Sequence, residues 1–338
     1  MSTCPLRRPA ATRILPPMSQ PTWGLVATIK AETTDILNFA AHHLDLGAHR
    51  LHIYLDADNP RAFAALKAHP KCRVTLCDDG YWKRRGKRPE AHQPRQSMNA
   101  THCLNKRPQV DWLAHIDVDE FLWPAPATPL PDQLAALPPG TRSARIRPVE
   151  AMAPDPADPP APGHAWFKGC SRYQGERRDQ TAQIYPTYGP HLHGGFLSHV
   201  AGKVFIRTGQ PDAALRIHNA FFDGARDSDP ATLTDTLLCH LHAPDWNRWR
   251  AAYRFRLEQG SYRDGLKPPS SPTGDGLSMN ALFTLLESDN GEAALESFFT
   301  EVCTATPDLR DRLARFGHLH DIALDLDAKR ARHFPKYV

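Results

Sequence analysis

Paired cysteines are missing from this chain of 338 residues. Its seven cysteines, Cys4, Cys72, Cys77, Cys103, Cys170, Cys239 and Cys303, form no C-x-x-C pair and no framework spacing. That excludes a disulfide-stapled secreted scaffold and a cysteine-built zinc module, and it predicts a reducing, cytoplasmic setting. Long apolar runs are missing too. No stretch approaches the roughly 18–20 apolar residues that cross a bilayer, and the N-terminus lacks the apolar segment of a signal peptide, so any membrane association is expected to be peripheral. Nor is there a charge excess: Lys and Arg number 41 against 37 Asp and Glu. Such a balance gives no reason to expect nucleic acid as a partner, while leaving room for a phosphorylated small molecule. No internal repeat is present, which excludes solenoids and propellers.

Proline, by contrast, is abundant. Twelve of the 32 prolines fall between Pro124 and Pro162, and a run this rich in residues without a backbone N–H predicts a loop or lid at about 124–163. Residues 1–20 lack periodicity and are expected to form a disordered leader. The chain is long enough to bury a large α/β core, expected over 21–245 and followed at 246–338 by a helical extension.

From Trp23 the pattern alternates. Trp23-Gly-Leu-Val-Ala-Thr-Ile29 reads as a strand; Ile36, Phe39, Ala40, His43 and Leu44 follow at helical spacing, with Thr33 or Thr34 as N-cap and Gly47 as stop. Leu51–Leu55 is a second strand ending at Asp56, Arg61–His69 a helix, Arg73–Cys77 a third strand, and Arg95–Leu104 another helix. This alternation predicts a mostly parallel sheet flanked by helices, with ligands beyond the carboxyl ends of its strands. Val110-Asp-Trp-Leu-Ala-His-Ile116 is a buried-strand pattern followed at once by Asp117-Val118-Asp119-Glu120. Later strands are expected at 194–199, 202–207 and 236–242, then a helix from Trp246 and two more within 277–304.

Two carboxylates two residues apart on a turn converge on one hard cation, Mg²⁺ or Mn²⁺, to which a nucleotide diphosphate adds further oxygens. A Lewis acid there neutralises the charge that builds on a departing diphosphate. The plain alternative is a solvated turn or helix cap. His240 and His242 alternate on one strand face and can present two imidazoles to one site. The run Lys83-Arg-Arg-Gly-Lys-Arg88 reads first as a solvated loop.

Ile29-Lys-Ala-Glu32, Asn38-Phe-Ala-Ala-His-His-Leu-Asp-Leu-Gly47, His52-Ile-Tyr-Leu-Asp56, the segment Trp112–Phe121, Gly202-Lys203 and His240-Leu-His242 together resemble bacterial members of glycosyltransferase family 2 and the related family 92 group. One departure is Lys-Ala-Glu where that group has Lys-Asn-Glu. The resemblance implies a GT-A fold, a nucleotide-sugar donor (a UDP-sugar favoured), a divalent metal and a sugar or glycan acceptor in surface polysaccharide synthesis. It places Asp117, Asp119 and His240 on the metal, with Asp117 also within reach of the ribose, and Glu32 and Asp56 on base and ribose. Lys203 and His199 fall to the diphosphate, with Arg95 and Gln96 as weaker donor-site candidates, and Glu120 is assigned to orienting acceptor or metal-bound water. A base for the acceptor hydroxyl is expected at Glu150, with Asp223 and Glu176 behind it. Two competing readings are a non-catalytic sugar- or nucleotide-binding protein with a degenerate transferase fold and a haloacid-dehalogenase-like phosphatase. The phosphatase is disfavoured because Phe121 stands where it would carry Thr or Val.

Overall fold

The computed structural model describes residues 20–266 and 277–337, so residues 1–19 of the expected leader lie outside the described residues. The first third runs β1 (Trp23–Ile29), α1 (Thr33–Asp45), β2 (Arg50–Leu55), α2 (Pro60–Ala68), β3 (Cys72–Leu76), α3 (Asp79–Lys83), α4 (His92–Asn105) and β4 (Trp112–His115). Strand–helix–strand crossovers of this kind give parallel neighbours, and β4-β1-β2-β3 is a parallel block. Helix α1 buries Ile36, Leu37, Phe39, Ala40 and Leu44, each worth about 1.5–3 kcal/mol for the larger side chains. It stops where predicted, at Gly47 with φ +90°. Its N-cap is Glu32 rather than a threonine, and no side chain caps it.

The remainder is β5 (Glu120–Pro124), α5 (Leu130–Ala135), β6 (Ser143–Ala151), β7 (His164–Lys168), α6 (Gln174–Ile184), β8 (Lys203–Arg207), β9 (Ala213–Leu215), β10 (Ala220–Phe222), β11 (Ala225–Arg226), β12 (Ala231–His240), α7 (Trp246–Glu258), α8 (Met279–Cys303), α9 (Pro307–Arg315), β13 (Leu319–Ala323) and α10 (Leu326–His333). The expected parallel core is present in the β4-β1-β2-β3 block, and the remaining strands make the sheet as a whole a mixed one. The order is β13-β7-β6-β8-β4-β1-β2-β3, with β12 joining β6 and β5. The contacts β4–β8, β6–β8, β6–β7, β7–β13 and β5–β12 are all antiparallel, β6–β12 alone being parallel in this half. The cause is connectivity, since after β4 few helical crossovers return the chain to its starting edge. A separate antiparallel sheet holds β9, β10 and β11.

The proline-rich stretch is not one loop. Prolines at the first turn of α5 lack only N–H groups that a helix leaves free anyway. Pro148 sits within β6 between Ile146, where pairing with β8 ends, and Glu150, where pairing with β7 begins, so its missing donor is not needed on that side. The segment 194–199 is turns rather than a strand. Helix α8 breaks at Asn290 and Gly291, which gives the two expected helices. The expected helical extension also returns a strand, β13, to the sheet edge against β7.

Strand β5 has one free edge, and α1 covers it with two histidines. His42 Nε2 donates to Leu122 O at 2.8 Å, and His43 Nε2 accepts from Leu122 N–H at 3.2 Å while its Nδ1 donates to Phe39 O at 2.8 Å. Both polar groups of Leu122 are thereby satisfied on the side away from β12. Burial holds both imidazoles neutral, His42 down to about 3, as this donor–acceptor assignment requires. Lys329 of α10 backs His42, its Nζ 3.3 Å from Nδ1.

Candidate active site

Strand directions bring the site together. Strands β1, β2, β4, β6 and β12 end at one edge of the sheet, and β5, β7 and β8 run antiparallel to their partners there. That edge therefore collects Glu32 after β1, Asp56 after β2, Asp117 and Asp119 after β4, Glu120 at the start of β5, Glu150 near the end of β6, Lys203 at the start of β8 and His240 at the end of β12.

The acidic turn closes on itself. Glu120 Oε2 accepts from the Asp117 N–H at 2.8 Å, and the Glu120 N–H donates to Asp117 O at 3.1 Å. Lys203 lies beneath it, 0% exposed, with Nζ 2.6 Å from Asp117 Oδ2 and 3.3 Å from Glu120 Oε2. Burial alone would depress the lysine, but Asp117 and Glu120 outweigh it and leave its pKa above the ordinary value. Burial likewise pushes both carboxyls up. At Asp117 the Lys203 ammonium overrides it and holds the group well below the carboxylate range, whereas Glu120 stays raised. Gly202, just before the lysine, has φ +67° and lies so close to Ile146 that a Cβ would meet its carbonyl oxygen at 2.0 Å. Only glycine lets the chain bring Lys203 in here.

The expected ligands Asp117, Asp119 and His240 are not brought together as one group of three, and Asp117 is held by other partners. Its Oδ1 accepts from Gln96 Nε2 at 2.5 Å and its Oδ2 from Lys203. Among the described residues no group of three or more His, Cys, Asp or Glu is placed to hold a metal ion. Asp119 and His240 do meet. Asp119 Oδ2 is 3.3 Å from His240 Nε2, and the Asp119 side chain is 39% exposed against 8% for the histidine. The Leu241 N–H donates to Asp119 O at 2.8 Å, fixing the two chain segments together. Burial lowers the His240 pKa, but Asp119 outweighs it and raises it to about 9. His240 Nδ1 is buried without a partner.

On the donor side, Glu32 is exposed and its side chain makes no cap bond to α1. Asp56 is buried between Arg95 Nε at 2.7 Å and Arg88 Nη2 at 3.0 Å. The last residue of the basic run thus joins the site, while Arg95 and Gln96 of α4 serve it by orienting Asp56 and Asp117. His199 lies in a histidine group, its ring centroid 3.8 Å from that of His218 and 6.4 Å from that of His240. Burial depresses His199, His218 to about 4 and His115 to about 3, with Lys203 adding to each. His115 and His218 were not singled out from sequence. His115 alternates with Asp117, a signal that was available; His218 sits in a loop and offers none. His242 Nε2 bonds instead to Tyr262 Oη at 2.9 Å.

Glu150 is wholly buried. It accepts from the N–H groups of Leu197 and Ser198, both at 2.9 Å, and from Ser198 Oγ at 2.6 Å, with Lys168 Nζ 3.5 Å away. Its carboxylate is spent on the loop that carries His199 rather than turned toward an acceptor. Asp223 lies in the β10–β11 turn at φ 52°, and Glu176 accepts from Ser171 Oγ at 2.9 Å; neither bonds to the acidic turn.

The model of the family described as glycosyltransferase family 92 matches residues 26–264. The chain belongs to glycosyltransferase family 92. As such it is a glycosyltransferase, and the matched span contains every site residue from Glu32 to His240. Of the two families expected from sequence, family 92 is the one matched. No curated protein matches this glycosyltransferase. Among solved structures, HddC from Yersinia pseudotuberculosis is similar at 9% identity and a TM-score of 0.26, covering 43% of this chain and 67% of that one. So slight a likeness carries nothing about the fold. No described helix of the family 92 chain is long and apolar enough to cross a membrane.

Proposed function

We propose that this glycosyltransferase moves a sugar from a nucleotide-diphosphate donor, a UDP-sugar favoured, to a sugar or glycan acceptor in surface polysaccharide synthesis. We place it in the cytoplasm, with a GT-A arrangement of its donor half and with membrane contact no more than peripheral. The observation that carries this reading is the Asp119–His240 pair, an oxygen and an imidazole nitrogen 3.3 Å apart at the open edge of the sheet. One carboxylate and one imidazole suit Mn²⁺ or Mg²⁺ when diphosphate oxygens complete the shell. Bound there, the metal would neutralise the leaving diphosphate.

The chain's own residues do the rest. Lys203 and Gln96 hold Asp117 ionised and oriented for a ribose hydroxyl, which donates readily to a carboxylate. Arg88 and Arg95 fix Asp56 for the same task, and Glu32 is free to meet the base. Glu120 is buried, so it positions Asp117 and Lys203 without touching substrate. Glu150 is given a positioning role, not that of the base.

Glu150→Gln tests that role. As a positioning residue, its replacement lowers melting temperature, and donor hydrolysis and transfer fall together, because a carboxylate holding three donors is lost. A base would instead lose transfer alone, by about 10²–10⁴, with stability and donor hydrolysis intact. The function itself is tested by nucleoside diphosphate release from a panel of nucleotide sugars with Mn²⁺, Mg²⁺ or EDTA. Turnover of at least one donor that stops on chelation is expected. Turnover indifferent to EDTA refutes the metal, and no binding or turnover of any donor refutes the reaction class.

A further inference from the structure

On β6, Arg145 and Arg147 flank Ile146, the strand partner of Lys203. Strand alternation sends their side chains to the sheet face opposite Ile146. There they line a polar cavity of about 300 Å³ together with Arg226 of β11, Asn219, Asp227 and Asp229. Three guanidiniums in one cavity repel one another, and burial adds to the cost. Burial, then Arg147 and Arg226, hold the Arg145 pKa below its ordinary value.

The cavity's own acids relieve this only in part, Asp227 drawing the Arg145 pKa back toward its ordinary value. Asp227 Oδ2 accepts from Ser143 Oγ at 2.8 Å and its Oδ1 from the Asp229 N–H at 3.3 Å. Among the described residues none of the three arginines forms an ion pair within 4.0 Å. Arg147 Nε is buried with no hydrogen-bond partner. Among the described residues only Arg145 of the three has internal work: Nη1 donates to Ala201 O at 2.7 Å and His218 O at 3.1 Å, and Nη2 to Asn219 Oδ1 at 3.0 Å. These contacts place the cavity one layer from the site edge, because His218 meets His199 edge to face and Ala201 immediately precedes Gly202 and Lys203.

Unpaired guanidiniums held together in a cavity are the geometry that recognises planar or tetrahedral oxyanions, through forked N–H pairs a lysine cannot supply. We propose that Arg145, Arg147 and Arg226 form an oxyanion-binding subsite that takes the carboxylate or phosphate group of an acidic acceptor glycan. The acceptor assignment rests on the transferase reading; the anion site itself does not.

Arg147 and Arg226 are the positions to change, since Arg145 also holds the backbone. Calorimetric titration of inorganic phosphate, and separately of glucuronate, into the wild type should give saturable binding. Arg147→Gln and Arg226→Gln should each weaken it on the order of 10-fold, the double variant should abolish it, and Arg226→Lys should restore only part. Melting temperature without phosphate should not fall in either glutamine variant, because each removes one of three like charges. Absence of saturable binding, or equal binding by the double variant, overturns the site.

In a transfer assay, a glucuronate-bearing oligosaccharide is compared with its neutral glucose counterpart. The acidic acceptor should show a lower KM, lost in the variants, with kcat and donor hydrolysis unchanged. Arginine-dependent phosphate binding without preference for the acidic acceptor overturns the acceptor assignment alone. Phosphate binding without turnover of any nucleotide sugar overturns the transferase reading and leaves the anion site standing.

Discussion

Asp119→Ala is expected to abolish metal-dependent binding of nucleoside diphosphate and to lower turnover by about 10²–10³, the scale of losing one preorganised group from a charge-stabilising site. The side chain reaches the open edge of the sheet, but its oxygen faces the buried His240 imidazole at 3.3 Å, so the variant leaves Nε2 without that partner and should lose about 1–3 kcal/mol of stability while staying folded. The backbone bond from Leu241 N–H to Asp119 O, which does not depend on the side chain, keeps the turn in place. Titration of Mn²⁺ with nucleoside diphosphate into the variant checks this. Unchanged affinity would remove Asp119 from the metal. His240→Ala should weaken metal binding less completely, as a neutral donor contributes less to a hard cation than a carboxylate does.

Lys203→Met should do the reverse, acting on stability first. The ammonium is wholly buried and neutralises two carboxylates, Asp117 and Glu120. Removing one member of a buried ionic group leaves uncompensated charge and costs about 3–5 kcal/mol. In a chain of this size that corresponds to a fall in melting temperature of roughly 4–7 °C. Lys203→Met combined with Glu120→Gln should recover part of the loss, since one of the two stranded carboxylates is then gone. A single variant that melts with the wild type would sink the proposed role, and a double variant less stable than the sum of its parts would show that Glu120 is not held by the lysine.

The acidic turn, Asp56, His240 and the helix ends at Gly47 and Trp246 were legible because each depends on local pattern: a buried run followed by acids, a short apolar strand ending in Asp, a glycine where the chain must turn. The division of labour was not legible. That Asp117 is consumed by Lys203 and Gln96, leaving Asp119 to face His240, depends on distances across the sheet that spacing cannot carry. Glu150 looked like a base because it follows a strand at the right edge, yet its hydrogen bonds come from Leu197 and Ser198, far along the chain. The mixed sheet was missed for a similar reason. Antiparallel β8 and β6 have the same composition as parallel strands when both faces are covered, and prolines that mark loops elsewhere fit β6 at the gap between two pairings.

The histidine clamp on β5 has a consequence for how the chain reaches its final form. His42 belongs to the first helix, but the lysine behind it, Lys329, belongs to α10, and β13 covers an edge that β7 otherwise leaves bare. During synthesis the earliest helix and the strand that begins at the acidic turn must therefore wait, incompletely secured, until residues 319–333 emerge. Such high sequence separation slows closure and leaves an unpaired strand exposed meanwhile. A ribosome-stalled or truncated chain ending before His318 should accordingly be protease-sensitive at β7 even though every residue of the site has already been made.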